Sequence, residues 1–128
     1  MDDGFTPLPR EIDQNKFLEF LNSMHPNIKY TMEAAKVYSD KQLMNFLDIT
    51  VILKNNRRIE TDIYYKSTNT HDYLDYNSFH PSHCKNNIPY NLAKRIIVFV
   101  TDEHKIHYRL SQLSSWLTHC NFPQKYNQ

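Results

Sequence analysis

Residues 46–66 read FLDITVILKNNRRIETDIYYK, and this stretch decides the fold. The part from Phe46 to Leu53 is rich in β-branched residues, as strands are. After it, Ile59, Thr61, Ile63 and Tyr65 alternate with Glu60, Asp62, Tyr64 and Lys66, which is the period of a strand with two different faces. Asn55 and Asn56 stand between the two parts, and Asn tolerates the left-handed backbone of a tight turn. The stretch therefore predicts an antiparallel β-hairpin.

Upstream of the hairpin, the sequence predicts one helix and one further strand. Asp13 is a suitable N-cap, and Phe17, Leu18, Leu21 and Met24 recur at helical spacing up to Pro26. Residues 28–33 then alternate apolar and polar side chains, which predicts the first of three strands. In this arrangement Ile59, Ile63 and Tyr65 of the last strand pack against the first helix.

Downstream, a polar connection over residues 67–86 leads to two predicted helices. Aromatic residues in the connection indicate that it is ordered and packs down. Pro89 suits a first helical turn, and Leu92, Ala93, Ile96, Ile97 and Val100 follow it. Thr101 is a fair N-cap for a second helix from about Asp102 to Cys120. We expect an α+β fold in one compact unit: an N-terminal helix, a small mostly antiparallel three-stranded sheet and a C-terminal helical pair of helix-turn-helix type.

Composition excludes several classes of protein. The chain has 128 residues, which suits one domain, and its only glycine, Gly4, cannot build a glycine-rich phosphate-binding loop. Its longest apolar run, residues 96–100, is far too short for a membrane span. The acidic N-terminus is unlike a secretory signal. We expect an intracellular protein, nuclear or cytoplasmic, with no membrane partner.

The charge is unevenly distributed, but the basic bias is too mild to identify a partner by itself. Residues 1–40 hold four basic and seven acidic groups, whereas residues 41–128 hold eleven basic and seven acidic groups. If the C-terminal helices contact nucleic acid, the side chains that could reach phosphates are Lys85, Lys94, Arg95, Lys105 and Arg109.

Two other chemistries remain open from the residues alone. Asp2 and Asp3 are adjacent carboxylates that could contribute to a divalent-metal site if a third acid were supplied. Zinc could be held by a set of imidazoles and thiols formed by His80, His83, Cys84, His119 and Cys120, although their spacing matches no familiar zinc module. The alternative for both is structural: an exposed terminus, a turn at His80-Pro81, and small core cysteines.

Read in order, several segments resemble the reverse transcriptase of Penelope-like retroelements. They are residues 46–51 (FLDITV), 61–68 (TDIYYKST), Tyr73-Leu74, residues 80–85 (HPSHCK), and residues 88–90 (IPY) with Ala93 and Arg95. Asp2-Asp3-Gly4-Phe5 looks like the end of that family's catalytic Tyr-x-Asp-Asp motif, and residues 17–29 resemble the helix and strand that follow it.

The resemblance implies a C-terminal fragment of an RNA-directed DNA polymerase. Residues 1–66 would be a remnant of the palm, and residues 67–128 would form the connection and the thumb with its helix-turn-helix-like segment. Asp2 and Asp3 would be the remnant of the catalytic pair that binds Mg²⁺ in the intact enzyme. Because the rest of the palm is absent, we expect no polymerase activity and no cofactor for this chain alone, unless a separate chain supplies the missing part.

The resemblance also implies a surface that holds a nucleic-acid duplex or an RNA–DNA hybrid. The residues expected on this surface are Lys66, His80, His83, Lys85, Lys94 and Arg95. Contacts to the backbone would make binding tolerant of sequence and sensitive to salt. The alternative is a small interaction or structural protein that keeps the fold but has lost its ligand. Because the missing palm would leave surface exposed, we also expect self-association or partial disorder at residues 1–12.

Overall fold

A computed structural model describes residues 3–123 and residue 125. The chain divides into two compact units, Met1–Ala35 and Lys36–Gln128. The second unit contains the whole sheet and both C-terminal helices. The expected α+β class is confirmed, but the sheet has four strands instead of three.

The first unit contains helix α1, Gln14–Ser23, with the predicted cap at Asp13. The Oδ1 atom of Asp13 accepts hydrogen bonds from the backbone N–H groups of Asn15 (2.8 Å) and Lys16 (3.4 Å). Met24 lies beyond the helix and is 68% exposed, so its predicted place on an apolar face is wrong.

The strand predicted over residues 28–33 does not form. The side chain of Asn22 instead hydrogen-bonds the backbone groups of Tyr30 that a neighbouring strand would have paired with. Its Oδ1 accepts from the N–H of Tyr30 at 2.6 Å, and its Nδ2 donates to the C=O of Tyr30 at 3.2 Å. Both backbone groups of Tyr30 are satisfied locally, which leaves no ladder to extend.

The second unit opens with an antiparallel sheet in the order β1-β2-β3-β4. The strands are β1 (Lys36–Val37), β2 (Lys41–Phe46), β3 (Ile49–Lys54) and β4 (Ile59–Ile63). The predicted strand from Phe46 to Leu53 is therefore interrupted by a turn at Leu47 and Asp48, where Leu47 has a left-handed φ of 51°. The hairpin predicted around Asn55-Asn56 is confirmed as the β3–β4 connection.

Strand β4 is an edge strand whose outer side is closed by the turn between the two helices. The N–H of Thr61 donates to Oγ1 of Thr101 (3.0 Å), and the N–H of Thr101 donates to the C=O of Thr61 (3.1 Å). These two bonds occupy backbone groups that would otherwise be free to pair with another strand. They also fix the helical pair against the sheet.

The helical pair consists of α2 (Ser82–Phe99) and α3 (Glu103–His119), which pack against each other. Helix α2 begins seven residues before Pro89, which lies buried inside it, so the predicted start at Pro89 is wrong. The first turns of α2 are polar and carry no apolar period, and this hid them in the sequence. The cap of α3 is Asp102 rather than Thr101, because Thr101 is engaged with Thr61 while Oδ1 of Asp102 accepts from the N–H of His104 at 2.9 Å.

The core lies between β4 and the helical pair. Ile96 of α2 and Leu117 of α3 are each 1% exposed and form its centre. Ile63 belongs to this cluster and Tyr65 packs against it, whereas Ile59 is 65% exposed and its predicted burial is wrong. The other buried members are Val100, Leu113, Cys120 and Phe122.

The connection between β4 and α2 has no helix or strand but is anchored, as expected from its aromatic residues. Tyr73 and Tyr76 pack against the core, and the N–H of Tyr76 donates to the C=O of Cys120 at 3.0 Å. Phe79 is fully exposed and contributes nothing to this packing. The anchored loop holds the first turn of α2 in place.

An aromatic cluster closes one side of the core around His71. The imidazole of His71 stacks on the indole of Trp116 with ring centroids 3.6 Å apart, and Tyr65 meets both rings edge-on. Nδ1 of His71 is buried and has no hydrogen-bond partner among the residues that the structure describes. Burial lowers the pKa of His71 from its usual value near 6.5, against the opposing effect of the Asp72 carboxylate.

This arrangement predicts a loss of stability in mild acid. Because the folded protein holds the pKa of His71 below 6.5, the unfolded chain takes up a proton first as the pH falls. The contribution of neutral His71 to the free energy of unfolding is complete above about pH 6.5. It is lost as the pH falls from there through the pKa of His71 in the folded protein. Urea unfolding at a series of pH values measures how the free energy of unfolding changes with pH.

The variant His71→Asn removes the titrating group and suits the left-handed backbone of this residue, whose φ is 57°. It should be less stable overall, because the stack with Trp116 is lost, but its unfolding free energy should fall less between pH 7 and pH 5. Equal slopes for the two proteins would show that His71 does not contribute.

Candidate nucleic-acid interface

Helix α2 presents an exposed face, here called the α2 outer face, that carries two of the expected ligand-binding residues. Successive residues of a helix are about 100° apart, so residues 83, 87, 90, 94 and 98 fall on one side. This outer face consists of His83, Asn87, Tyr90, Lys94, Ile97 and Val98, all exposed. Basic, aromatic and apolar groups therefore share one accessible helix surface.

Lys94 is the cation on this face that is available to a ligand. Its side chain is exposed and makes no hydrogen bond or ion pair with the residues that the structure describes. It borders an open groove of about 380 Å³, lined by Asn91, Lys94, Arg95, Val98 and Phe99. The groove is shallow and its lining is mainly apolar, so the side chain of Lys94, and not the groove, is what a phosphate would contact.

Arg95 lies at the edge of the same face and is already paired. Its Nη2 is 2.8 Å from Oδ2 of Asp48 in the β2–β3 turn, and its guanidinium lies over the ring of Phe99. Both side chains of the pair remain well exposed, so the interaction is weak and a phosphate can compete with Asp48 for the guanidinium.

Lys85 points to the opposite side of α2. It precedes Lys94 by nine residues, which at about 100° per residue is half a turn of rotation. Its Nζ donates to the C=O of Tyr76 (2.8 Å) and of Ser78 (3.0 Å) and lies 5.1 Å from the centre of the Tyr76 ring. The ammonium group of Lys85 therefore holds the connecting loop against the helix, away from the α2 outer face.

The two remaining residues of the expected set lie outside α2. Lys66 is exposed just after β4, where its C=O accepts from the N–H of Asn69 in a turn. His80 is exposed before α2, with its Nδ1 3.0 Å from Oγ of Ser78. Neither is placed on the α2 outer face by the helix.

The basic residues of α3 face the sheet instead of solvent. Arg109 forms a two-pronged pair with Asp62 of β4, Nε to Oδ1 at 3.1 Å and Nη2 to Oδ2 at 2.9 Å. Its hydrogen bond to Asp62 raises the pKa of Arg109. One turn earlier, Nζ of Lys105 lies 4.0 Å from Oε2 of Glu60. Lys105 and Arg109 are thus tied to the sheet, not directed at phosphates.

The solvent side of α3 is polar but contains no lysine or arginine. His104, His107, Tyr108, Ser111, Ser115, Thr118 and His119 are all exposed there. The strong cations of the helical pair that remain accessible are therefore on α2.

The metal-binding expectations find no assembled site. Asp2 lies outside the described residues, and Asp3 is exposed. Of the residues considered for zinc, Cys84 is exposed in the first turn of α2 while Cys120 is buried in the core. Within residues 3–123 and 125, no three histidine, cysteine, aspartate or glutamate side chains come together as metal ligands would.

Two basic residues that the sequence analysis did not single out occupy the β3–β4 turn. Arg57 and Arg58 are both exposed, and neither side chain has a partner among the described residues. The signal that could have found them is their position directly after the predicted Asn55-Asn56 turn, where side chains project into solvent.

Comparison with known families agrees with the helical pair. Residues 72–128, a little under half of the chain, match the model of a family described as the animal helix-turn-helix domain. The match spans α2, the three-residue turn 100–102 and α3. No curated protein and no solved structure matches the chain.

The matched family supports the helix-turn-helix assignment of the C-terminal segment. It does not identify a Penelope-like reverse transcriptase, so that resemblance stays a prediction. In the part of the chain that the structure describes, no helix is both long and apolar enough to cross a bilayer.

Proposed function

We propose that this chain binds the phosphate backbone of a nucleic-acid duplex through the α2 outer face, as part of a retroelement reverse transcriptase of the Penelope-like type. The observation that carries the proposal is Lys94, a cation on the exposed face of α2 that has no partner among the described residues and belongs to the matched helix-turn-helix segment. Arg95 beside it adds a second cation, which pairs with the exposed carboxylate of Asp48 and lies over the ring of Phe99. The motif series from residue 46 to residue 95 supports the reverse-transcriptase origin.

The surface is suited to phosphates more than to base edges. Lys94 offers a point charge, and Tyr90 and Asn91 next to it can donate hydrogen bonds to phosphate oxygens. The solvent side of α3, which reads bases in DNA-binding helix-turn-helix proteins, carries no arginine or lysine to reach guanine. Binding should therefore depend little on sequence and strongly on salt.

The test is a fluorescence-anisotropy titration with a labelled RNA–DNA hybrid, a DNA duplex and single strands, at about 50 and 200 mM salt. Each phosphate contact contributes about 0.9 to the slope of log affinity against log salt, which is about 3.5-fold over this range. Lys94→Ala/Arg95→Ala should weaken binding to every duplex sequence and reduce the salt slope by about two. An unchanged affinity in this variant, with the wild type binding, would remove the α2 outer face from the interface.

Two controls separate the local contact from net charge. Arg10→Ala/Lys16→Ala removes the same charge from exposed positions in the first unit and should change binding much less. Asp48→Ala removes the carboxylate that competes for Arg95, so its affinity should rise.

A protein-binding role is the second candidate, favoured by the apolar part of the same face. Ile97 is 57% exposed and Val98 is 65% exposed, which is unusual for two consecutive aliphatic residues of a helix that also supplies the core. Failure of every nucleic-acid probe to bind, at low salt and with folded protein, would reject our proposal and leave this candidate.

A further inference from the structure

The β3–β4 hairpin carries a concentration of positive charge that the proposed interface does not include. Residues 55–58 form its tip. At the tip or next to it lie the basic residues Lys41, Lys54, Arg57 and Arg58, and the structure places the acidic residues Asp40 and Glu60 beside them. Arg57 and Arg58 are the two cations of this group at the tip itself.

The charges are held close together by the register of the sheet. Lys41 of β2 stands directly opposite Lys54 of β3 in the antiparallel ladder. Like charges at directly opposed positions oppose folding. Glu60 pairs with Lys54 and reaches Lys105 at 4.0 Å, so a single carboxylate is shared between two ammonium groups. Arg57 and Arg58 have no carboxylate partner in residues 3–123 and 125.

The tip is a rigid support and not a loose loop. The N–H of Arg57 donates to the C=O of Lys54, and the N–H of Lys54 donates to the C=O of Arg58, both at 2.9 Å. Asn55 connects the tip to the β1–β2 turn. Its Nδ2 donates to the C=O of Ser39, and its N–H donates to the C=O of Asp40. The backbone that carries the two arginines is therefore already ordered before a ligand binds.

The backbone of Arg57 is unfavourable for an arginine. Its φ of 63° lies in the left-handed region, which Gly and Asn adopt at a lower energetic cost than Arg. The turn itself requires this conformation, because the N–H of Arg57 closes the tip onto the C=O of Lys54. Asn at this position should therefore be tolerated at least as well as Arg.

We propose that the β3–β4 tip is a second binding surface for the phosphate backbone of the same nucleic-acid duplex. The inference rests on the proposed function and extends it from one contact surface to two. Phosphate oxygens match the paired donors of Arg57 and Arg58, and the surplus of positive charge around the tip is complementary to a polyanion.

Strand β3 connects the two surfaces. Asp48, which holds Arg95, adjoins the first residue of β3, and the tip follows its last residue. Five steps of about 3.4 Å separate the ends of the strand by about 17 Å. Base pairs rise by about 3.4 Å, so the probe duplexes should be much longer than five base pairs to reach both surfaces.

The test uses the full chain, the same labelled duplexes and the variant Arg57→Asn/Arg58→Gln. Asn suits the left-handed backbone, so the thermal midpoint should be equal to or above that of the wild type. Affinity at about 50 mM salt should nevertheless fall about tenfold or more, and the salt slope should fall by about two. A gain in stability together with a loss of binding is not expected for residues that only support the fold.

The controls distinguish the two proposals. Arg10→Ala/Lys16→Ala again matches the change in charge and should retain most of the affinity. If the wild type binds duplex while Arg57→Asn/Arg58→Gln keeps its affinity and slope, the second surface is rejected and the α2 outer face stands. If only the tip variant loses binding and Lys94→Ala/Arg95→Ala does not, the tip stands and the α2 outer face is rejected. If the wild type binds no duplex, both proposals are rejected.

Discussion

Asp62→Ala is expected to lower the free energy of unfolding by about 3 kcal/mol, at the lower end of the range for breaking a buried ion pair. Oδ1 of Asp62 accepts from both the Nε of Arg109 and the N–H of Ile63, and Oδ2 accepts from Nη2 of Arg109. Removal of the carboxylate leaves a largely buried guanidinium and a buried backbone N–H without this acceptor. Urea unfolding followed by circular dichroism measures the loss.

The surface pair Arg95–Asp48 supplies a matched control for this prediction. Its nitrogen–oxygen distance of 2.8 Å is close to the 2.9 Å of the Arg109–Asp62 pair, but its side chains are 43% and 64% exposed instead of 22% and 12%. Asp48→Ala should therefore cost no more than about 1 kcal/mol. Equal losses in the two variants would show that burial does not set the strength of the Asp62 pair.

A double replacement separates the cost of an orphaned charge from the value of the pair. In Asp62→Val/Arg109→Met neither charge remains, and apolar side chains fill similar volumes at the junction of β4 and α3. Such replacements are often neutral or stabilising, so the double variant should be more stable than Asp62→Ala. If it is equally unstable or worse, the contacts of the pair itself, and not the unpaired arginine, account for the loss.

Local signals in the sequence predicted the local parts of the fold. The cap at Asp13 and the turn after Lys54 each depend on the chemistry of one or two residues, and both formed as predicted. The second helix predicted from about Asp102 to Cys120 was also correct, because the structure has α3 over Glu103–His119. These features need no information from distant parts of the chain.

The errors have a common physical origin in hydrogen bonds between specific side chains and the backbone. The alternation over residues 28–33 suggested a strand, but Asn22, eight residues before Tyr30, satisfies the backbone there. Thr101 looked like a cap, but it pairs with Thr61, forty residues away. Hydrophobic periodicity does not show such bonds, whether the partner is near in the sequence or far from it.

The candidate site shows the same division. Lys85 and Lys94 are nine residues apart and lie on opposite sides of α2. The predicted helix began at Pro89, so it did not include Lys85 and could not place it on either side. The correct start at Ser82 would have separated the two lysines from sequence alone. In contrast, the engagement of Lys105 and Arg109 with β4 depends on tertiary packing that the sequence does not encode locally.

Ile96→Ala should cost about 2 to 5 kcal/mol, while Ile97→Ala should change stability by no more than about 0.5 kcal/mol. The two isoleucines are neighbours in α2, but Ile96 is 1% exposed at the centre of the core and Ile97 is 57% exposed on the α2 outer face. Truncation of Ile96 leaves a cavity beside Leu117, whereas truncation of Ile97 removes side-chain surface that is already in water. The two variants change the same residue type in the same helix, so they differ only in the side of the helix that the isoleucine faces.

The same pair also tests what the α2 outer face binds. Ile97→Ala keeps Lys94 and Arg95 in place, so a phosphate-binding surface should retain its affinity for duplex and its salt slope. If Ile97→Ala keeps its thermal midpoint but loses duplex binding together with its salt dependence, contact through charge alone is contradicted. Comparable destabilisation by Ile96→Ala and Ile97→Ala would instead contradict the orientation of α2, and with it the assignment of Lys94 to an accessible face.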